Sequence, residues 1–403
     1  MISTKKEGID MKKILFVSFP ATGHVNASKK FIKELCQRQD SEVYYVTLRE
    51  HFRRFDDVKG LHLIPYNEEY VQYYRTEEKH SGKIKSNLLQ LLYMLYQMME
   101  KSVEFIDHTV ERIKPDRIVC DPFAIGAKAV AKKYKIPYHL YFSFLVQNPA
   151  GDAMPPGIKK MILLHPVTLF KAMRLQKKLT KKYGYCDMPW DLLDHQHVKT
   201  IVTTSSKYHP YGDRYPENVF FAGPPDVWKT EPKPKKDMVF VSLGTVESNV
   251  CVIKACLELA KTKKCEFVIT LAGNKQNYIQ KEDSLTNVTI YENLTPEEFR
   301  GVLSEAKVFI NSGGINSVSD SIMAMTPVLV YSASQESHDM GVLVQEYHCG
   351  YLHEGKIKVK ELEREIDLLL QDKSYSSGLP IYRESFWNAA GYEKAAEFVL
   401  RES

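Results

Sequence analysis

Short apolar runs and stretches of helical periodicity alternate along the first half of the chain. Apolar runs typical of buried strands lie at 14–19, 43–48, 61–64, 117–120 and 138–142. Helices are predicted between them, at 28–36 (Phe31, Ile32 and Leu35 on one face), in one or two segments of 84–113, and at 124–134. This alternation predicts an α/β domain with a parallel sheet and helices on both faces.

The second half repeats the pattern after a polar segment, 229–237, which contains Pro232 and Pro234 and is typical of a linker. Strands are predicted at 238–242, 267–271, 288–290 and 308–311, with a helix at 252–261. The chain is therefore predicted to form two similar Rossmann-like domains with a cleft between them and ligands at the carboxyl ends of the strands. The predicted parts are an N-terminal domain at 11–228, a linker at 229–237, a C-terminal domain at 238–380, and a helix at 381–403 that crosses back to the first domain.

Residues 157–183 mix many lysines with apolar residues. One interpretation is an amphipathic helix that faces an acceptor or a membrane surface. The alternative is a helix packed on its own domain with a solvated basic face. The pattern alone leaves both open.

Composition narrows the classes of function. The 403 residues carry 55 basic and 50 acidic side chains, a net charge of +5, which lacks the concentrated basic footprint of a nucleic-acid binder. The seven scattered cysteines include no Cys-x-x-Cys pair, as expected of free thiols in a reducing cytosol. The sequence shows no long apolar span and no secretory signal, so we expect a cytoplasmic protein without integral membrane association.

The segment 309–327 is the most informative for chemistry. It reads as a strand, a turn at Gly313 and Gly314, and a helix that begins near Asn316. Glycines allow close approach of the backbone to a ligand, and the start of a helix offers N–H groups and a positive dipole end to a diphosphate. Taken alone, a Gly-Gly turn before a helix also fits tight packing.

Together with its surroundings, this segment resembles the donor-binding signature of family 1 glycosyltransferases, the class with macrolide-inactivating and plant natural-product enzymes. The matching positions are 312–317 (Ser-Gly-Gly-Ile-Asn-Ser), Asp320, Pro327 and the pair Glu336-Ser337. Residues 241–245, 220–224 and 345–350 extend the likeness. The segment at 23–26 resembles the loop with the family's catalytic histidine, and 116–121 the strand whose terminal aspartate partners it.

The resemblance implies the GT-B fold and an inverting, metal-independent hexosyl transfer from a nucleotide diphosphate, most simply a UDP-sugar. It makes His24 the general base and Asp121 its partner. The implied donor site comprises Ser242, Gly244, Thr245, Tyr291, Ser312, Gly313, Gly314, Asn316, Ser317, Asp320, Glu336 and Ser337. Within it, Asp320 would accept hydrogen bonds from the ribose and Glu336 from the sugar. No cofactor beyond the nucleotide sugar is expected, and the sequence has no Asp-x-Asp motif for a metal.

Three positions depart from the family pattern, all on the donor side. Ser312 replaces a histidine that contacts the diphosphate, Ser337 replaces a glutamine, and the nucleobase motif Trp-x-Pro-Gln is absent, which leaves Tyr291 as a candidate for stacking. The changes fit an unusual donor, a weakly bound donor, or a non-catalytic GT-B accessory protein. A nucleotide-sugar epimerase of the same fold is a further alternative.

The acceptor is expected to be a small molecule, such as a natural product or an antibiotic precursor, and the protein a monomer or a homodimer. An adaptable apolar acceptor wall is predicted around 65–110 and 140–190, although core packing would give the same pattern. The residues concerned are Tyr70, Tyr73, Tyr74, Tyr93, Met94, Tyr96 and Met98.

Overall fold

The computed structural model describes residues 11–79, 88–145, 164–188, 197–228, 233–244, 250–271, 285–332 and 334–401. The chain divides into two compact units, one formed by 1–225 together with 389–403 and the other by 226–388. Each unit contains one parallel sheet with helices between its strands.

The first unit contains a seven-stranded sheet with the strand order β3-β2-β1-β4-β5-β6-β7. Its strands are β1 (Lys12–Val17), β2 (Ser41–Thr47), β3 (Leu61–Pro65), β4 (Arg117–Cys120), β5 (Tyr138–Phe142), β6 (Thr200–Val202) and β7 (Val219–Phe221). The helices among them are α1 (Thr22–Gln37), α2 (Glu68–Lys79), α3 (Leu88–Ile113), α4 (Ile125–Tyr134) and α5 (Pro166–Tyr183).

Strand β1 explains why the first apolar run is continuous. Leu15 and Val17 belong to the apolar cluster on one face of the sheet, and Ile14 and Phe16 to the cluster on the other face. All four side chains are at most 1% exposed. A parallel strand covered on both faces requires apolar residues at every position, which a half-solvated strand does not.

The second unit contains a six-stranded sheet with the order β10-β9-β8-β11-β12-β13. Its strands are β8 (Met238–Ser242), β9 (Glu266–Thr270), β10 (Val288–Tyr291), β11 (Val308–Asn311), β12 (Val328–Val330) and β13 (Gly350–Leu352). Its helices are α6 (Val250–Ala260), α7 (Pro296–Glu305), α8 (Ile315–Met323), α9 (Gln335–Glu346), α10 (Val359–Gln371) and α11 (Leu379–Trp387). The last helix, α12 (Gly391–Leu400), packs on α1 and belongs to the first unit.

Both sheets reverse their strand order at one point. In the first unit the reversal lies between β1 and β4, and in the second between β8 and β11. The loops that leave the carboxyl ends of two such strands diverge to opposite faces of the sheet and open a crevice, which is where α/β proteins bind ligands. These two reversal points position the candidate site residues.

Some predicted segments fall outside the residues that the structure describes. Among them are 84–87 of the predicted helical stretch, 80–87 and 146–163 of the predicted acceptor region (which include 157–163 of the lysine-rich stretch), 229–232 of the linker, Thr245, and 402–403 at the end of the last predicted helix. Within the described ranges, no helix is long and apolar enough to cross a membrane.

Candidate active site

His24 lies at the start of α1, immediately beyond the carboxyl end of β1. The loop before it is fixed by two hydrogen bonds from neighbouring elements. The Tyr66 hydroxyl donates to the Ser18 carbonyl at 2.7 Å, and His51 Nε2 lies 2.8 Å from the Pro20 carbonyl oxygen. The first turn of α1 therefore has a defined position relative to the sheet.

Asp121 follows β4, the strand next to β1 at the reversal point. Its backbone N–H donates to the Val17 carbonyl at 3.1 Å, which joins the ends of the two strands. Its Oδ1 accepts a hydrogen bond from the Phe123 N–H at 2.9 Å, so the carboxylate orientation is fixed by its own turn. Asp-Pro commonly forms such a turn, and here the turn also aims the second carboxylate oxygen.

His24 and Asp121 are in direct contact: His24 Nδ1 lies 2.6 Å from Asp121 Oδ2. The side chains are 16% and 4% exposed, respectively, so water competes little for this bond. An ionised carboxylate only accepts hydrogen bonds, so the Nδ1 atom carries the proton and Nε2 is the basic nitrogen of the neutral ring. This is the arrangement of an imidazole base oriented by an acid.

Three phenylalanines surround the histidine ring. The ring centroids of Phe19, Phe123 and Phe144 lie 5.1, 5.9 and 5.8 Å from that of His24. An apolar surround strengthens the His24–Asp121 bond because it lowers the local dielectric constant. None of the three was predicted from the sequence as part of the site, although Phe123 could have been, since it lies two residues after the aspartate.

The predicted acceptor wall is only partly available to a ligand. Tyr70, Tyr74, Tyr96 and Met98 are buried in the core of the first unit, at 0–7% exposure. Tyr73, Tyr93 and Met94 are half-buried. Core packing is therefore the correct interpretation for the first four residues.

In the second unit, Asn311 links the two strands at the reversal point. Its Nδ2 donates to the Ser242 carbonyl at 2.8 Å, and its Oδ1 accepts from the Gly313 N–H at 2.7 Å. Asn311 thereby fixes the ends of β8 and β11 and the glycine turn that follows. Asn311 was not predicted as a site residue, although a polar residue at the end of an apolar strand could have indicated this role.

The two turn glycines have different surroundings. Gly313 has φ +85°, and a Cβ there would lie 2.6 Å from the Ser337 carbonyl oxygen and 2.9 Å from Val330 Cγ1. Gly314 has φ −69°, and a Cβ there would have no atom within 4 Å. Gly313 is therefore required by the backbone and by packing, whereas Gly314 leaves open space at the N-terminus of α8.

The other residues of this motif lie on or beside α8. Ser312, Asn316, Ser317 and Asp320 are each partly exposed, which leaves them accessible to a ligand. Although the residue keeps partial contact with solvent, the protein atoms packed around the Asp320 carboxyl desolvate it and raise its pKa to about 7; repulsion from Asp226 adds to the rise and Arg300 opposes it.

Glu336 and Ser337 lie in the first turn of α9, and their side chains differ in availability. Glu336 is exposed. Ser337 forms a capping box with Ser334: Ser337 Oγ accepts from the Ser334 N–H at 2.9 Å, and Ser334 Oγ accepts from the Ser337 N–H at 3.2 Å. The serine at the family's glutamine position therefore caps its own helix.

The remaining donor-side candidates are dispersed along the sheet. Ser242 ends β8 and Gly244 follows it with φ +69°, next to the glycine turn of β11. Tyr291 is 40% exposed and ends β10, three strand spacings from β11, which corresponds to about 14 Å. No group of three or more His, Cys, Asp or Glu side chains suited to a metal is found in the described parts of the chain.

Comparison with known proteins finds glycosyltransferases that match over nearly the whole chain. No family model matches the chain. YojK of Bacillus subtilis, named as an uncharacterised UDP-glucosyltransferase, is 21% identical over 410 residues, and the alignment covers 97% of each chain. The NDP-glycosyltransferase YjiC of the same organism is 23% identical over 399 residues, with 96% of each chain covered.

Solved structures show the same fold. The calicheamicin glycosyltransferase CalG4 matches with a TM-score of 0.77 and 20% identity, over 97% of this chain and 98% of its own. The spinosyn rhamnosyltransferase SpnG, in complex with thymidine diphosphate, matches with a TM-score of 0.69 and 13% identity, over 96% and 100%. The predicted GT-B architecture and the resemblance to glycosyltransferases are confirmed.

Proposed function

This chain is a glycosyltransferase of the GT-B fold, and we propose that it transfers a hexose from a nucleotide diphosphate to a hydroxyl group of a small natural-product acceptor, with inversion at the anomeric carbon. UDP is the first candidate nucleotide because two relatives are named as UDP-glucosyltransferases. TDP is the second, because SpnG binds thymidine diphosphate. We further propose a cytoplasmic monomer or homodimer.

The His24–Asp121 pair is the observation that supports this proposal. An acceptor hydroxyl must lose its proton as it attacks, and a neutral imidazole is a suitable general base. The acceptor oxygen forms a bond to the anomeric carbon while its proton passes to His24 Nε2. Asp121, 2.6 Å from Nδ1, stabilises the imidazolium that results. A single displacement of this kind inverts the anomeric centre.

The leaving group departs as the nucleotide diphosphate, with the electron pair of the broken C–O bond on its terminal phosphate oxygen. We propose that the start of α8 stabilises this charge through its N–H groups and the hydroxyls of Ser312 and Ser317. The open space beside Gly314 supports this assignment, because the backbone there can approach an anion. Asp320 and Glu336 are proposed to accept hydrogen bonds from the ribose and the sugar. This scheme uses no metal ion.

A thermal-shift panel identifies the donor. The purified protein is melted with UDP, TDP, GDP and ADP and with their glucose conjugates. A ligand at a hundred times its dissociation constant adds about 2.7 kcal/mol of stability, which gives a measurable shift. We expect a shift with one uracil or thymine nucleotide. No shift with any nucleotide would favour the non-catalytic accessory protein.

Two variants then test the chemistry against binding. His24→Ala and Asp121→Asn are expected to lose about 10²–10⁴-fold in kcat while they keep the wild-type nucleotide shift, because the dyad lies in the first unit and the donor residues in the second. NMR of the product from an α-linked donor should show a β-linkage. Full activity of His24→Ala would contradict the assignment of the base, and sugar isomerisation without an acceptor would favour the epimerase.

A further inference from the structure

All the charged residues of helix α5 are basic. Its 18 residues include six cationic side chains and no acidic one. The cations are Lys171, Arg174, Lys177, Lys178, Lys181 and Lys182. The helix thus carries a charge of +6, which exceeds the net charge of the whole chain, +5. No other helix in the described parts of the chain combines this length with such a charge.

One side of α5 packs on its own unit. Ala172, Gln176 and Leu179 are its buried residues, and the helix contacts α3 and α4. At about 100° per residue, Val167 and Phe170 project from the opposite side, within a sector of about 80° that also contains Arg174, Lys177 and Lys181. The outward face is therefore apolar at its N-terminal end and cationic along the rest; we call these five residues the α5 face.

The apolar end of the α5 face is well exposed. Val167 is 66% and Phe170 68% exposed, and Leu164, just before the helix, is 62% exposed. These are three of the eight large apolar side chains that are exposed in the described parts of the chain, and the other five are scattered. Isolated exposed apolar residues are ordinary, but such residues clustered over two helical turns indicate an interaction surface.

The cations of the α5 face are available to a partner. Lys178 and Lys182, at the border of the face, form ion pairs with Glu100 and Glu104 at 2.6 and 2.7 Å. Among the residues that the structure describes, Arg174, Lys177 and Lys181 have no such acidic neighbour within 4.0 Å. The cations with an acidic partner thus lie at the edge of the face, and the three at its centre are exposed.

We infer that the α5 face docks this protein on anionic lipid bilayers, with Val167, Phe170 and Leu164 in the acyl–headgroup boundary and Arg174, Lys177 and Lys181 against the lipid phosphates. An apolar end beside a row of unneutralised cations is complementary to an anionic bilayer, which offers both environments within a few ångströms. A second copy of the chain would set the same cations against each other. This inference is independent of the proposed transfer reaction.

Vesicle co-sedimentation tests the inference with the full chain. Vesicles of phosphatidylcholine alone are compared with vesicles that contain one quarter phosphatidylglycerol, at low and high salt. The variants are Phe170→Ser and the pair Lys177→Gln with Lys181→Gln. Matched controls in the second unit are Ile381→Ser, an apolar side chain at 47% exposure, and the pair Lys356→Gln with Lys360→Gln. Thermal melts verify that each variant is folded.

We expect binding to the anionic vesicles that decreases with salt. The double lysine variant should bind about 30-fold more weakly, and Phe170→Ser about tenfold more weakly, with both controls unchanged. Absence of anionic vesicle binding by the wild-type chain, or equal effects of the controls and the α5 variants, would overturn the inference. So would a wild-type dimer in sedimentation velocity that Phe170→Ser dissociates without any vesicle binding.

Discussion

If Asp320 binds the ribose as proposed, its raised pKa predicts that nucleotide-sugar binding depends on pH. In the free protein, burial and the nearby Asp226 raise the pKa of this carboxyl to about 7, and Arg300 opposes the rise. If the ribose hydroxyls donate to the ionised carboxylate, the nucleotide sugar binds only the deprotonated form. Because protons compete with the ligand for the carboxylate, the affinity for the nucleotide sugar is highest above pH 7 and falls below it.

The magnitude follows from the fraction of ionised Asp320. With a pKa of about 7, roughly a tenth of the molecules are ionised at pH 6 and about 3% at pH 5.5. The apparent dissociation constant scales with the inverse of this fraction, so it should rise about 30-fold between pH 8 and pH 5.5. A carboxyl at the ordinary value of 3.8 would leave the affinity nearly constant over that range.

Isothermal titration calorimetry is the appropriate assay, with UDP-glucose or TDP-glucose, whichever gives the larger thermal shift. A nucleotide sugar is preferred to the free diphosphate, because a terminal phosphate itself titrates near pH 6. Titrations at pH 6 in buffers of different ionisation enthalpy should show release of about 0.9 proton per ligand bound. The affinity series is measured from pH 5.5 to 8.5 at constant ionic strength.

Three variants separate Asp320 from other titrating groups. Asp320→Asn should bind weakly, with no pH dependence and no proton release. Asp226→Asn should move the loss of affinity to lower pH, because it removes the repulsion that raises the pKa of Asp320. Asp237→Asn, at an exposed ion pair with Lys307, is the control for a lost surface charge. Constant affinity in the wild type, or a pH dependence that survives in Asp320→Asn, would refute the reasoning.

Three further predictions concern stability. Burial lowers the pKa of His139 to about 3, so between pH 6.5 and 3 the unfolded chain binds a proton that the folded chain does not. The free energy of unfolding should therefore fall by about 1.4 kcal/mol for each pH unit below 6.5. In urea melts, His139→Phe should lack this loss, and the variant of an exposed histidine, His108→Gln, should keep it. Burial lowers the pKa of Lys235 to about 8, so between pH 8 and 10.5 the folded chain has lost a proton that the unfolded chain still binds. Over this range the stability of the wild type relative to Lys235→Met should rise by at most about 3 kcal/mol. A constant difference in urea melts would contradict this. Gly313→Ala should lower the free energy of unfolding by about 2–4 kcal/mol, because of the positive φ and the contact of the new Cβ with the Ser337 carbonyl. Gly314→Ala should change it by less than about 0.5 kcal/mol and weaken donor binding. Equal melting temperatures for the two variants would be inconsistent with the turn geometry.

Strand boundaries were predicted best from the sequence where the strand is buried on both faces. The predicted strands 117–120 and 138–142 coincide with β4 and β5, because a strand covered on both faces is apolar throughout. The three-residue strands β6, β7, β12 and β13 were not predicted as strands, since three residues are too few to establish a period. Helix α2 was also missed, because its apolar residues are confined to a five-residue stretch, 70–74, that charged residues flank on both sides.

Site prediction from the sequence depended on the class of residue. His24 and Asp121 were paired through a resemblance, and the structure places them in contact because both follow strands adjacent to the sheet's reversal point. Asn311 was missed because its role is to orient the backbone of β8 and of the glycine turn. Such a role depends on the register of neighbouring strands, which local sequence does not specify.

Ser337 shows how a departure from a family pattern acquires a physical meaning. A glutamine at this position would leave a long amide for a ligand, whereas the serine pairs with Ser334 in a capping box. The capping box stabilises the start of α9 by about 1 kcal/mol in typical helices. That same turn supplies the carbonyl against which Gly313 packs. A serine at this position therefore supports the backbone under the glycine turn and does not extend a long side chain toward a ligand. If exposed Glu336 accepts hydrogen bonds from the sugar, as proposed above, Glu336→Gln should weaken nucleotide-sugar binding more than it weakens binding of the free nucleotide.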